Sequence, residues 1–280
     1  MKPVASKLVL STVLLVAIVL SGCMQSKYIE EEVTAEARGA LTTENALMTN
    51  SIDLNGLMSN SIDLNGIDPD MLSTEVLSAL RDNGQLGANT RVLYKYLIGC
   101  ALDPTQSISF SWTDSLDVVH QEVFWGGAGL APTWRNNSIN PPGRRSVSAC
   151  MGARANYFGT PVSISIRGPQ ESLKHVSAAE SDAYPEEEGA FWGDLFDGAP
   201  QLYSCHNTSN IANSRSKLRD CAAGYPVGDG TYLECGHVMI LGDCDAFCDA
   251  LDSTGLYRSH CNDDEIGAAT NDVVTVFLPQ

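Results

Sequence analysis

Tyr96-Leu97-Ile98-Gly99-Cys100-Ala101-Leu102-Asp103-Pro104, followed by Ile108-Ser109-Phe110-Ser111-Trp112, decides the fold class of this chain. Leu93, Tyr96, Leu97, Cys100 and Ala101 share one face of a helix expected over 89–102, which Asp103-Pro104 closes. The next segment alternates apolar and small polar residues strictly, as a strand with one buried face does. The same two patterns then return. Arg144 to Phe158 carries Val147, Cys150, Met151 and Tyr157 at helical spacing, and Val162-Ser163-Ile164-Ser165-Ile166 alternates again. Two units of Cys-bearing helix and Ser-spaced strand imply an α+β fold, with helices packed on an antiparallel sheet. Cys100 and Cys150 lie on the buried helix faces, and we expect them to pair, pinning the helices together.

The flanking segments extend this core. Asp68-Pro69 reads as a helix N-cap with Pro at the first turn, followed by Met71, Leu72, Val76, Leu77 and Leu80 and ending near Gly84. Val118 to Trp125 is the expected partner strand of 108–112. Gly126 to Pro142 reads as a Gly/Pro/Asn-rich loop containing Trp134. Arg167 to Ala190, with Glu186-Glu187-Glu188, is polar and reads as a boundary or a long surface loop. From Tyr203 onward six cysteines fall close together: Cys205, Cys221, Cys235, Cys244, Cys248 and Cys261. Short strands are expected at 237–241 and 273–278. This is the density of a disulfide-stapled subdomain. Six cysteines allow about 15 pairings, and these stay open.

The amino-terminal end specifies location. Lys2 and Lys7 precede a 13-residue run without charge, Leu8 to Leu20, too short to span a bilayer as a mature helix. Leu20-Ser21-Gly22-Cys23 follows. This stretch resembles a bacterial lipobox, which implies cleavage before Cys23 and acylation of Cys23. The expected organisation is a lipoprotein signal peptide over 1–22 and an acidic tether over 23–44. An Asn-x-Leu repeat over 45–67 follows, then an α+β domain over 68–200 and a Cys-rich subdomain over 201–280. In the repeat, Leu47–Gly56 recurs as Leu57–Gly66 with only Thr49 and Ser59 differing, over an underlying five-residue spacing of Asn45, Asn50, Asn55, Asn60 and Asn65. Five matches neither helix nor strand, and so few units bury no core alone. The repeats, the segment ending at Cys100-Ala101-Leu102 and the segment from Val147 to Gly168 are similar to uncharacterised, secreted, Cys-rich proteins of myxobacteria. That resemblance implies a lineage and no activity.

Charge excludes one class of partner. The chain carries 17 basic and 34 acidic residues, a net charge of −17. Loss of Lys2 and Lys7 with the signal takes it to −19. Such a chain repels nucleic-acid phosphates, and it lacks a polybasic patch to assist membrane binding, so the acyl chains must anchor it. Lipidation of Cys23 leaves eight cysteines, an even number suited to four disulfides in an exported protein.

No residue set commands a specific chemistry. Cys205-His206, Cys235-Gly236-His237 and His260-Cys261 lack paired zinc-hook spacing. Asp243, Asp245 and Asp249 match positions 1, 3 and 7 of an EF-hand loop, but Cys248 and Thr254 stand where Gly and a bidentate Glu belong. The chain has no G-x-S-x-G elbow, no HExxH helix and no phosphate-binding Gly loop. We therefore nominate no catalytic residue, metal ligand or cofactor. Phe124-Trp125-Gly126 and Phe191-Trp192-Gly193 repeat one step, and Trp125 and Trp192 are candidates for stacking on a glycan-like ligand; the competing expectation is that both pack as core. The leading functional expectation is a lipid-anchored cell-envelope protein, at the outer membrane, acting by binding or structural interaction, with an envelope protein or a glycan as the partner it would take and no specific activity assigned. The alternative is an envelope hydrolase acting on polysaccharide or peptidoglycan.

Overall fold

The computed structural model describes residues 41–45, 47–48, 64–156, 161–197, 201–219, 225–226, 232–233, 238–262 and 270–280. Cys23, the tether as far as residue 40, most of the repeat, Cys221 and Cys235 lie outside the described residues.

The fold is α+β. A six-stranded sheet carries the order β1-β6-β12-β7-β8-β11. Its strands are β1 (Leu41–Asn45), β6 (Val162–Arg167), β12 (Val274–Leu278), β7 (Glu186–Asp194), β8 (Gln201–His206) and β11 (Val238–Asp243). All neighbours run antiparallel except β8 and β11, which are parallel, so the sheet is mixed. Residues 201–280 thus supply three strands to the same sheet as residues 162–194. Two-residue ladders pair β2 (Leu47–Met48) with β5 (Ala155–Asn156) and β9 (Tyr225–Pro226) with β10 (Tyr232–Leu233).

Period-two alternation sorts side chains between the two faces. Ile164, Ile166, Phe191, Leu202, Val274, Val276 and Leu278 face a helical core. It is completed by α1 (Thr74–Arg81), α2 (Gln85–Ala101) and α3 (Pro141–Ala153). Ala190, Trp192, Tyr203 and Cys205 form a second cluster with Cys244, Cys261 and Val273. Here the cover is the disulfide-stapled segment from α6 (Cys244–Phe247) to residue 262. Two bridges hold it, Cys205–Cys244 and Cys248–Cys261. Cys100 in α2 and Cys150 in α3 are bonded, with Cα atoms 5.9 Å apart, and both residues are fully buried.

Helix boundaries moved where caps proved stronger than expected. The first helix begins at Thr74 under Ser73, whose hydroxyl accepts the Val76 N–H, instead of at Asp68-Pro69. Asp68 instead accepts from Arg135 Nε at 3.2 Å, tying the helix approach to a 3-10 turn at Pro132–Arg135. α2 starts four residues before the expected position 89, because the Asp82 carboxylate accepts the N–H groups of Gly84 and Gly87. α3 starts at Pro141 behind the N-cap Asn140 and stops at Ala153. Leu41–Glu44, expected as the end of a tether, pairs with β6 as an edge strand.

The largest correction concerns 167–190. This stretch contains α4 (Ala178–Ala183) and most of β7, a central strand. Glu187 and Glu188 are buried, where the sequence pattern suggests a solvated acidic loop. Each meets an arginine far along the chain: Glu188 meets Arg219, just beyond α5 (Ile211–Ser216), and Glu187 meets Arg258. Paired and hydrogen-bonded charges tolerate burial that isolated ones do not.

Candidate functional site

The strands β3 (Ser107–Thr113) and β4 (Val119–Trp125) form a hairpin separate from the large sheet. Its register runs from Ser107 opposite Trp125 to Thr113 opposite Val119. Asp114 shapes the turn: its Oδ1 accepts the N–H groups of Leu116 at 2.8 Å and Val118 at 3.0 Å. Its Oδ2 lies 2.9 Å from His120 Nε2. That His120 hydrogen bond, then the two backbone N–H groups, hold the Asp114 carboxyl below the usual aspartate range.

The inner face of the hairpin anchors it to α2. Phe110 and Phe124 meet Tyr94 edge-on, with ring centroids 6.2 and 6.0 Å away. Nearer the turn, Trp112 stacks on His120 with centroids 4.4 Å apart, and the Arg91 guanidinium lies 3.7 Å over the Trp112 ring. Trp112 Nε1 donates to Glu122 at 3.1 Å. Arg91 Nη1 also donates to the carbonyls of Leu80 and Asp82, both at 2.8 Å, so one cation ends α1 and braces the hairpin. Burial pushes its pKa down, against the attraction of Glu122 and Asp82.

The outer face is open. Val119 is 61 %, Val123 50 % and Trp125 60 % exposed, and Gln121 completes the row. Opposite them across the pair stand Thr113, Ser111, Ser109 and Ser107. The result is a flat strip with an apolar edge and a hydroxyl-bearing edge, ending in an exposed indole. Gly126 follows Trp125 because a Cβ there would lie 2.2 Å from the Asp103 carbonyl oxygen. That close approach turns the chain beneath α2.

Trp192 has the opposite environment and is corrected as a stacking candidate. It is fully buried, 5.8 Å from Tyr203 between ring centroids, under the disulfide-stapled segment. Its following residue, Gly193, has φ +125° and no room for a Cβ, which would sit 2.3 Å from the Gln201 carbonyl oxygen. Of the two Phe-Trp-Gly steps, only Trp125 presents its indole to solvent.

A second polar group lies at the carboxyl ends of the parallel pair β8 and β11. His206 and Asp243 are register partners there. Asp243 accepts from Thr208 Oγ1 at 2.6 Å and from the Asp245 N–H at 3.0 Å. These two bonds, led by Thr208, hold its carboxyl below the ordinary range. Arg258 bridges Glu187 (Nε to Oε1, 2.6 Å) and Asp245 (Nη2 to Oδ1, 2.9 Å). Burial disfavours the Arg258 cation, but hydrogen bonds and attraction to these carboxylates outweigh it and raise its pKa. Cys205 and Cys261, adjacent to His206 and His260, are bonded to other cysteines. Asp243 caps α6 and Asp252 accepts the Leu256 N–H at 2.7 Å, so local backbone donors occupy an oxygen of each. Among the described residues, no helix is long and apolar enough to cross a membrane.

The sequence singled out Trp125 but not its neighbours. Alternation of Val119, Gln121, Val123 and Trp125 was the available signal, since an exposed apolar row on one strand face lacks a covering layer. Comparisons with protein-family models, with curated proteins and with solved structures find no match in any of the three.

Proposed function

We propose that this chain is a lipid-anchored cell-envelope protein that acts by binding, with the outer face of the β3–β4 hairpin as its working surface. The observation that carries the reading is Trp125: a large indole left 60 % exposed at the end of a flat strip, on a hairpin braced by Arg91 and the Tyr94 cluster. A rigid aromatic beside hydroxyl-bearing serines suits the apolar face and hydroxyl rim of a sugar ring, and little conformational freedom is lost on contact. Attachment at the outer membrane rests on Lys2, Lys7, the short apolar run and Leu20-Ser21-Gly22-Cys23.

Two measurements test the two halves. Cys23→Ser should move the protein from the membrane pellet to the soluble fraction; continued sedimentation with membranes refutes the anchor. Isolated peptidoglycan and envelope polysaccharide should each be offered to the protein in a co-sedimentation assay. Retention by either that falls with Trp125→Ala supports the reading, and retention of neither, or retention unchanged by Trp125→Ala, refutes it.

A hydrolase reading has one supporting observation, the His206–Asp243 juxtaposition at the ends of two parallel strands, a position where α/β sheets collect reactive groups. Turnover of envelope polymer that His206→Ala abolishes, with binding retained, would favour it.

A further inference from the structure

We infer that the free edge of β4 pairs with β4 of a second copy of this chain, making a continuous four-stranded antiparallel sheet. The backbone argument comes first. Asp114 N donates to Val118 O, and Gly126 N donates to Gln106 O, at the two ends of the β3–β4 ladder. Bonded and non-bonded pairs alternate in an antiparallel ladder. The intervening bonded pairs are therefore Trp112–His120, Phe110–Glu122 and Ile108–Phe124. Val119, Gln121, Val123 and Trp125 then direct their N–H and C=O groups away from β3. The two strands form a sheet of their own, so among the described residues no strand lies beside that edge. Val119, Val123 and Trp125 expose apolar side chains along the same edge. Unpaired, apolar edges of this kind are templates for another strand.

The side chains select the occupant. Val119-His120-Gln121-Glu122-Val123 is complementary to itself when read in reverse. Centred on Gln121, the antiparallel pairing sets Val119 opposite Val123 of the second copy, and His120 opposite its Glu122, each twice about the two-fold axis. Gln121 faces its own equivalent. Centring one residue later puts two Glu122 carboxylates opposite each other. Centring one residue earlier does the same with two imidazoles. Two carboxylates directly opposite each other repel, and of the three registers only the Gln121-centred one sets an imidazole opposite each Glu122 carboxylate, so that register wins. A two-fold contact of this type is closed and adds no third copy at β4. The outer faces of the two hairpins become one surface, with the two Trp125 side chains about 27 Å apart along the strand direction.

The dimer does not depend on any ligand at Trp125, so its test is separate from the binding assay. In the full chain carrying Cys23→Ser, Gln121→Cys places two thiols across the axis at a Cα spacing of about 5.5 Å, within disulfide reach. Mild oxidation should convert this variant to a covalent dimer, while Ser111→Cys, on the far strand, stays monomeric. Val119→Cys and Val123→Cys should cross-link when mixed and not when oxidised alone. Without any added cysteine the protein should sediment as a dimer at high concentration, and Val123→Lys should return it to monomer. A Gln121→Cys variant that cross-links no better than Ser111→Cys overturns the dimer and leaves the edge to a strand of some other protein. Cross-linking of Val119→Cys alone overturns the register.

Discussion

Arg219 and Glu188 meet with both side chains wholly buried, the guanidinium donating Nε and Nη2 to the carboxylate at 3.1 and 2.5 Å. Arg219 Nη1 donates onward to the Ala155 carbonyl at 2.7 Å. The pair links the central strand β7 to the start of β5 through a residue 31 positions downstream of the glutamate.

Removing one member strands the other as an unpaired buried charge. Glu188→Ala should destabilise the protein by about 3–5 kcal/mol, read from chemical denaturation. Replacing both, as Glu188→Leu with Arg219→Met, should recover most of that loss. A single variant as stable as the parent would show the ion pair to be dispensable.

The Cys100–Cys150 bond closes a loop with a sequence separation of 50. Loop-closure entropy predicts a loss of about 4 kcal/mol for Cys100→Ala with Cys150→Ala, measured by thermal or chemical unfolding. Because both residues are also core, the loss should not fall below that of an ordinary buried truncation.

Tryptophan emission should separate exposed from buried sites. The chain has four tryptophans, of which Trp134 and Trp192 are fully buried and Trp125 is mostly exposed. Iodide should quench one strongly accessible component, and Trp125→Phe should remove it with a change in stability within about 0.5 kcal/mol. Quenching that survives Trp125→Phe would place Trp125 in a covered environment.

Carboxyl titration should split the aspartates in opposite directions. Asp114 and Asp243 are held below the ordinary aspartate range by hydrogen bonds, while burial raises Asp194 above it against the pull of Arg144. For the first two, the stabilising contribution is present above the unfolded pKa and disappears as pH falls through the depressed folded value. For Asp194 the sign reverses: its contribution is present below the unfolded pKa and is lost as pH rises through the raised one. NMR carboxyl shifts in acid check the order, with Asp194 titrating last as the pH rises.

Legibility followed the range of the interactions involved. The helix carrying Leu93, Tyr96, Leu97, Cys100 and Ala101 was readable because a buried stripe needs only local spacing, and all five residues are buried. The strand over 108–112 was readable for the same reason, with Ile108 and Phe110 inward. Glu187 and Glu188 were misread as surface because their partners, Arg258 and Arg219, lie 71 and 31 residues away. No local pattern announces a distant guanidinium. At the candidate site, the repeated Phe-Trp-Gly step marked Trp125 and Trp192 equally.

Local spacing, turn residues and charge were enough to specify an α+β chain, its helix faces and the Trp-Gly steps, because those depend on neighbours a few positions apart. Packing then divided residues that the letters treat alike. Trp192 lies on a strand whose outer face the Cys205–Cys244 and Cys248–Cys261 bridges cover, and Trp125 on a hairpin whose outer face nothing in the described chain covers. Which layer covers which face depends on contacts between distant segments, and that is what left Trp125 as the exposed indole.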